Sequence, residues 1–242
     1  MSRCITLSGL QMKEVSKMAK LYYNRQGILT KEKENEMSKQ YTEATQEMID
    51  EFNEKTSFEL AKDNVRGLLG YMGENVNREG LLDTPRRVVE MYEELTSGYA
   101  MNPIAIIEKA VFHEQTKEMV VVKNIPFYSL CEHHLAPFFG TATIGYLPND
   151  GRIVGLSKLA RVLDAYARRL QVQERLGAQV ADAFFNSSLK PEGVGVHIEA
   201  EHLCMAMRGV QKPGTSTITV SIRGLFESDK AVKDEWTRLA LS

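Results

Sequence analysis

The sequence predicts an α+β fold in which antiparallel strands form a sheet and helices pack on one of its faces. Two patterns lead to this prediction, namely runs with strand character and runs with the apolar spacing of helices. The strand-like runs are 119–125, 138–148, 152–156, 194–209 and 216–226. The helix-like runs are 58–75, 81–98, 157–170 and 173–185. This succession favours one α+β domain with its helices grouped against one face of the sheet.

The helix within 81–98 has clear start and stop signals and one unusual feature. Thr84 is a suitable N-cap, Pro85 suits the first helical position, and Gly98 is expected to end the helix. Arg86 and Arg87 lie in the first turn, where the helix dipole favours acidic residues. They are equally well explained as exposed surface charge or as cations that meet an anion.

The later elements follow from the positions of their apolar residues. The spacings that predict the two helices are Leu159, Val162, Leu163 and Tyr166, then Leu176, Val180 and Phe184. In the run 194–209, the residues of one parity are Val196, Ile198, Ala200, His202, Cys204, Ala206 and Arg208. A row that begins apolar and ends in His, Cys and Arg predicts a core face that leads into a pocket. The other parity predicts a solvent face, with His197 as a surface histidine.

Composition excludes several classes of protein. The chain has 242 residues, of which 43% are hydrophobic and 26% are charged, as in an ordinary globular protein. A formal charge of −2 gives no general attraction to nucleic acid or to anionic membranes. No apolar run approaches ~20 residues, and Lys13, Lys17 and Lys20 interrupt any signal-like core near the N-terminus. Three cysteines are too few for a disulfide framework, so we expect a reducing, cytoplasmic compartment.

The first 57 residues differ in character from the rest. Segment 31–40 is a run of charges, and segment 41–52 has the spacing of an amphipathic helix. We therefore expect an N-terminal extension over 1–57, partly helical or disordered, followed by a single domain over 58–242.

The stretch SLCEHHLAPFFG, residues 129–140, contains a candidate metal site. Cys131 and His134 have a spacing at which one turn can bring two ligands onto one cation, and Cys204 is a third soft ligand. Two thiolates and an imidazole suit zinc. An open fourth position would make the site catalytic, whereas ligation by His133 or His202 would make it structural. The His-x-Glu and Pro-Cys-x-x-Cys signature of the zinc deaminases is absent.

A second group of residues suits an anionic, nitrogen-rich ligand. Ser157 and Lys158 open a predicted helix, and Arg161 follows within its first turn. Helix N-termini bind phosphate groups, and the added cations favour this use. Gln173 and Glu174 begin the next helix, where the pattern favours capping and where pairing with the edge of a guanine is the alternative.

Four motifs, in this order and spacing, closely resemble the GTP cyclohydrolase I family. They are SLCEHHLAPFFG, GLSKLARV, RRLQVQERL and EHLCMAMRG, and the similarity covers roughly residues 58–240. The resemblance implies conversion of GTP and water to 7,8-dihydroneopterin triphosphate and formate, the entry step of pterin and folate synthesis. It also implies the tunnelling fold, in which small sheets from many subunits join into a barrel, and a toroidal homodecamer made of two pentamers.

The resemblance also assigns roles to residues. It implies one zinc ion per chain on Cys131, His134 and Cys204, and a proton-transfer pair formed by His133 and His202. It implies that Glu174, with Gln173, anchors the guanine. The residues expected near the ribose and triphosphate are Ser157, Lys158, Arg161, Arg208 and Arg87.

Two other functions remain as alternatives. One is a different enzyme of the same fold that acts on pterins or deazapurines, which would need other metal ligands or another nucleophile. The other is a non-catalytic, zinc-stabilised module that binds purine nucleotides. A structural zinc leaves unexplained why both His133 and His202 are free, and release of formate from GTP separates these cases.

Overall fold

The structure is a computed structural model that describes residues 57–241. Most of the predicted N-terminal extension, including the helix expected at 41–52, lies outside the described residues. The chain divides into two compact units after Glu90. The described part of the first unit contains helix α1 (Ser57–Tyr71), a 3₁₀ turn (Glu79–Leu81) and the start of helix α2 (Thr84–Leu95).

Helix α2 begins as predicted and ends earlier than predicted. It starts at Thr84 and Pro85, and it stops at Leu95 instead of Gly98. Gly98 lies in a separate 3₁₀ turn (Ser97–Ala100), where its N–H donates to the Arg168 carbonyl at 3.0 Å. A Cβ atom on Gly98 would lie 2.6 Å from that oxygen. The glycine therefore serves a close approach of two backbone segments and does not cap the helix.

The second unit is built around a five-stranded sheet with the strand order β5-β2-β3-β6-β7. All neighbouring strands are antiparallel except β2 and β5, and β1 pairs with β4 in a separate small sheet. The strands are β1 (Val111–His113), β2 (Val120–Cys131), β3 (Pro137–Leu147), β4 (Arg152–Val154), β5 (Leu170–Gln171), β6 (Gly193–His202) and β7 (Ser216–Gly224). The helices are α3 (Pro103–Glu108), α4 (Ser157–Ala167), α5 (Gln173–Phe185), α6 (Leu203–Ala206), α7 (Leu225–Ser228) and α8 (Lys230–Leu241). The α+β prediction is confirmed.

The main core lies between the sheet and helices α4 and α5. Leu163 and Val180 supply the helical side of this core, and Val196 and Ile198 supply the sheet side; all four are fully buried. Each such side chain contributes about 1.5–3 kcal/mol through burial. This packing holds the first turns of α4 and α5 close to the strands that carry the candidate ligands.

The opposite face of the sheet is also partly covered, which the sequence analysis did not predict. Trp236 of α8 is 2% exposed and packs on glycines of two neighbouring strands. A Cβ on Gly145 or on Gly195 would lie 2.5 Å from a ring atom of Trp236. The absence of side chains at these positions therefore makes room for the indole on this face.

His197 is buried, so the prediction of a surface histidine is wrong. Its exposed fraction is 9%, and it lies on an inner strand between Thr143 and Val220. Alternation along β6 places it on the same face as Gly195, against which α8 packs. The C-terminal helix α8 thus packs against the sheet face that the alternation along β6 predicts to be exposed to solvent.

Candidate metal centre and active site

The hairpin turn between β2 and β3 brings two candidate ligands together. Cys131 is the last residue of β2 and is buried, and its N–H and carbonyl bond to residues 134–136 and close the turn. His134 projects from this turn with Nδ1 4.0 Å from the Cys131 Sγ atom. Leu135 adopts a positive φ of 52°, which lets the chain reverse within a few residues. The Cys-x-x-His spacing therefore gives two neighbouring ligands, as predicted.

Strand pairing brings the third candidate ligand to the same place. β3 runs antiparallel to β6 with Phe138 opposite His202, so β6 ends beside the hairpin. The predicted strand 194–209 stops at His202, and Cys204 lies in the short helix α6. The expected strand row through Cys204 and Arg208 is therefore wrong, because the chain turns helical there. The ligand atoms of Cys131, His134 and Cys204 nevertheless all lie within 4.8 Å of one another.

The electrostatics of these three residues favour a bound cation. Burial and the adjacent Cys131 thiol both raise the pKa of the Cys204 thiol. Two neighbouring thiolates are costly without a compensating charge, and a divalent ion supplies it. Neither sulfur is engaged in a disulfide. Two thiolates and one imidazole match the ligand preferences of zinc, so the residues present fit that ion.

The two histidines expected to transfer protons have different surroundings. His133 is exposed, with 64% of its side chain accessible, and its Nδ1 lies 3.9 Å from the Cys131 Sγ atom. His202 is half-buried, and its ring stacks on Phe138 with centroids 4.6 Å apart. Burial lowers the pKa of His202, against the opposing effect of Glu174. Burial therefore favours the neutral form of His202, while His133 is open to solvent.

Gln173 and Glu174 point in different directions from the first turn of α5. Glu174 is exposed, whereas Gln173 is 1% exposed and its side-chain amide bonds to groups inside the chain. The N–H donors of the Gln173 amide, which was expected to pair with guanine, are therefore already used within the chain. Neither residue caps α5 through its side chain, because the N-cap position is Val172.

Most of the expected phosphate-binding residues lie at helix starts or exposed turns of the second unit. Ser157 and Lys158 begin α4, and the exposed Arg161 follows one turn later. Ser157 and Lys158 have no side-chain partner within residues 57–241, and the same holds for Arg161. Arg208 follows α6, and its Nη1 lies 3.1 Å from His134 Nε2. Arg208 is thus the cation of this set that touches a candidate metal ligand.

The two first-turn arginines of α2 differ in their partners. Arg86 is held by Asp83 at 2.5 Å and by Glu90 at 2.6 Å. The Arg86 guanidinium is the main reason why the pKa of Asp83 falls to about 2. Arg87 is 73% exposed, and its partner within the described part of the chain is Asp83 alone, at 3.0 Å. The Arg86 guanidinium is therefore engaged by two carboxylates of its own helix region, and Arg87 is the more accessible of the two to an anionic ligand.

An ion pair that the sequence does not predict holds the turn that carries the candidate ligands. Arg175 of α5 donates two hydrogen bonds to Glu132, which lies between Cys131 and His133. The Arg175 guanidinium lowers the pKa of Glu132, so its carboxylate is ionised. The two residues are 43 positions apart, and no local spacing rule pairs them. The one feature of the sequence that could have indicated this pair is the acidic residue Glu132 inside the Cys-Glu-His-His motif.

No helix within residues 57–241 has the length and apolar character needed to cross a membrane.

The amino-acid sequence is similar to that of several bacterial proteins named GTP cyclohydrolase 1. The chain is 52% identical to GTP cyclohydrolase 1 of Geobacillus kaustophilus over 171 residues, which is 71% of this chain and 90% of that protein. It is 51% identical to the Bacillus cytotoxicus protein of that name (75% and 95% covered) and 56% identical to the Streptococcus agalactiae protein (68% and 87% covered).

The residues matched by a known family include all the candidate site residues, from Arg87 to Arg208. The GTP cyclohydrolase I family model matches residues 61–240, a range that contains the Cys131, His134 and Cys204 group. Together with relatives of more than 50% identity over most of their length, this match shows that the chain belongs to the GTP cyclohydrolase I family.

Proposed function

We propose that this protein converts GTP and water to 7,8-dihydroneopterin triphosphate and formate, in the cytoplasm, as the first step of pterin and tetrahydrofolate synthesis. The observation that carries the proposal is the Cys131, His134 and Cys204 group, with His133 and His202 beside it. A purine ring opens only if water is activated and protons are moved. The site contains residues for both tasks.

We assign one zinc ion per chain to Cys131, His134 and Cys204. Zinc in such a site supplies Lewis-acid chemistry and activates water near neutral pH. The chain contributes the placement of the ligands, since β2, the hairpin turn and α6 each supply one of them. The Glu132–Arg175 pair and the Glu132 N–H bond to the Gln171 carbonyl hold this turn on α5 and β5.

His133 and His202 are assigned to proton transfer. Proton transfer by a positioned side chain typically contributes ~10²–10⁴-fold to a rate. Burial favours the neutral form of His202, and its ring is held against Phe138, which suits a group that first accepts a proton. His133 is exposed and can exchange protons with solvent. Neither histidine is needed as a metal ligand, because the other three residues suffice for an open site.

The substrate contacts are assigned to groups that the fold leaves exposed. Glu174 anchors the guanine, because a carboxylate accepts from both the ring N–H and the amino group. Lys158, Arg161 and Arg208 bind the triphosphate, with Ser157 beside the ribose at the start of α4. Arg87 is assigned as a further triphosphate ligand, and its exposed side chain, with Asp83 as its partner among residues 57–241, leaves it available.

We propose that the domain over 58–242 assembles as a toroidal homodecamer of two pentamers with the tunnelling fold. The support is the outer edge of β7, which has no partner strand within residues 57–241. Ile218 and Val220 on this strand are 58% and 56% exposed. An open edge with exposed apolar residues favours pairing with a strand of another subunit. Residues 1–57 form an extension that is not needed for this assembly.

The test is incubation of the purified, zinc-loaded full chain with GTP. We expect a pterin chromophore and formate in equal amounts. GTP binding without either product would instead support the non-catalytic, zinc-stabilised module. The Cys131, His134 and Cys204 set already disfavours enzymes of the same fold that use a different nucleophile.

A further inference from the structure

Gln173 occupies a buried position whose hydrogen bonds dictate how its amide is oriented. Its Nε2 donates to the Ile198 carbonyl at 3.2 Å and to the Thr217 carbonyl at 2.9 Å, and it contacts Thr219 Oγ1 at 3.2 Å. Main-chain carbonyls only accept hydrogen bonds, so the amide nitrogen must face them. A flipped amide would set its oxygen against two carbonyl oxygens. The Gln173 Oε1 atom therefore points the other way.

That oxygen faces His202. The distance from Gln173 Oε1 to His202 Nε2 is 2.8 Å. An amide oxygen has no proton to donate, so His202 Nε2 must be the nitrogen that carries the proton. In the neutral ring, Nδ1 is then the bare nitrogen. The β6 and β7 carbonyls thus orient the amide, and the amide fixes the tautomer of the histidine.

A second contact restricts the same ring. The imidazole of His202 lies parallel to the Phe138 ring, with an interplanar angle of 1° and centroids 4.6 Å apart. Stacking limits tilting of the ring, and the hydrogen bond to Gln173 limits rotation within its plane. Both partners sit on regular elements, β3 and α5, whose positions are set by the core. The ring therefore has one orientation and one tautomer.

We propose that Gln173 is a positioning residue that acts through His202 and does not bind guanine. It holds the Nε2–H of His202, so that Nδ1 is the nitrogen left to work on the substrate. The catalytic role of this contact rests on the proposed function, whereas the hydrogen bond between Gln173 and His202 is a feature of the structure alone. It also separates Gln173 from the exposed Glu174, which remains the guanine ligand.

The first test is a double-mutant cycle on the zinc-loaded full chain with Gln173→Met and His202→Ala. Methionine has a similar length and cannot accept from His202 or donate to the carbonyls. A misplaced catalytic group costs up to ~10²-fold, so we expect kcat to fall roughly 10- to 100-fold with little change in KM for GTP. In the His202→Ala background the same substitution should change kcat less than about threefold, because the group it positions is gone.

The matched control is Gln171→Met. Gln171 is equally buried, and its side-chain amide bonds to the Tyr166 carbonyl and to Gln179 without touching a site histidine. The substitution changes only this side chain, so the main-chain carbonyl that accepts from the Glu132 N–H stays in place. We expect a comparable fall in melting temperature and a kcat close to that of the unmodified chain. Equal losses of kcat in Gln171→Met and Gln173→Met would overturn the proposal. A raised KM for Gln173→Met that persists fully in the His202→Ala background would also overturn it, in favour of guanine binding.

A second measurement covers the case in which Gln173→Met fails to fold. Solid-state ¹⁵N NMR on the histidine-labelled, zinc-loaded chain reports which ring nitrogen carries the proton. The His202 signals are assigned by their loss in His202→Ala. In the neutral ring we expect a protonated Nε2 and a bare Nδ1, and the reverse tautomer overturns the inference. This readout needs no turnover, so an inactive chain with the expected tautomer would refute the proposed function alone.

Discussion

Arg175 donates two hydrogen bonds to the Glu132 carboxylate, from Nη1 to Oε2 at 2.5 Å and from Nη2 to Oε1 at 3.0 Å. This pair connects the first turn of α5, which carries Glu174, to the turn that carries the candidate metal ligands. The proposed guanine anchor and the candidate metal centre are therefore held in one arrangement. A bidentate pair between an arginine and a carboxylate sets a direction as well as a distance.

We predict that Glu132→Gln lowers kcat about tenfold, because the turn that carries His133 loses its link to α5. The change in melting temperature should be small, since an exposed ion pair contributes little to stability. Asp182→Asn is the matched control, because Asp182 lies on α5, as Arg175 does, and forms a comparable ion pair with Arg223 at 2.7 Å. It should leave kcat unchanged. An unchanged kcat in Glu132→Gln would mean that backbone bonds alone hold the turn.

The metal assignment predicts that Cys204→Ser loses its zinc. Serine is a poor ligand for zinc, and the remaining cysteine and histidine cannot hold the ion alone. Metal content per chain, measured by atomic emission after dialysis, should fall from about one to near zero. Cys4→Ser is the control, since Cys4 lies before the residues matched by the family, and it should retain its metal. Zinc retained together with turnover in Cys204→Ser would refute the third ligand.

His133→Ala should keep its zinc and lose most of its turnover. The proposed role of His133 is proton transfer and not metal ligation, and such transfer contributes ~10²–10⁴-fold. Metal analysis and kcat measured on the same sample decide the point. If the metal is lost together with activity, His133 is a fourth ligand and the site is closed.

Arg87→Ala should weaken the use of GTP much more than Arg86→Ala. A partly desolvated contact between arginine and phosphate contributes ~1.5–3 kcal/mol, which corresponds to a fall in kcat/KM of roughly 10- to 200-fold. Arg86 is occupied by Asp83 and Glu90, so its loss should mainly affect the helix. Zinc content should not change in either variant. A larger kinetic loss for Arg86→Ala would contradict the assignment.

Deletion of residues 1–50 should leave assembly and turnover largely intact. The family match begins at residue 61, and every candidate site residue lies after it. Sedimentation velocity and kcat on the shortened chain test this expectation. A chain that dissociates into monomers would show that the extension is part of the assembly.

Elements with a strong local pattern could be predicted from the sequence alone. Helix α5 has the predicted bounds, 173–185, because Leu176, Val180 and Phe184 recur at helical spacing and are all buried. Hydrophobic periodicity acts between near neighbours, so one segment contains the information. The Cys131–His134 pair follows in the same way from a single turn. Motif order then sufficed to recognise the family.

The tertiary structure alone decided which side chains meet across the fold. The prediction that Cys204 continues the strand row of β6 was wrong. Cys204 lies beside the hairpin because Phe138 pairs with His202 and the chain then forms the short helix α6. His197 is buried on the face of β6 against which α8 packs, and Gln173 is oriented by carbonyls of β6 and β7. Residues between 25 and 46 positions apart make the Gln173 contacts. Such contacts depend on strand pairing and layer packing, which local spacing does not encode.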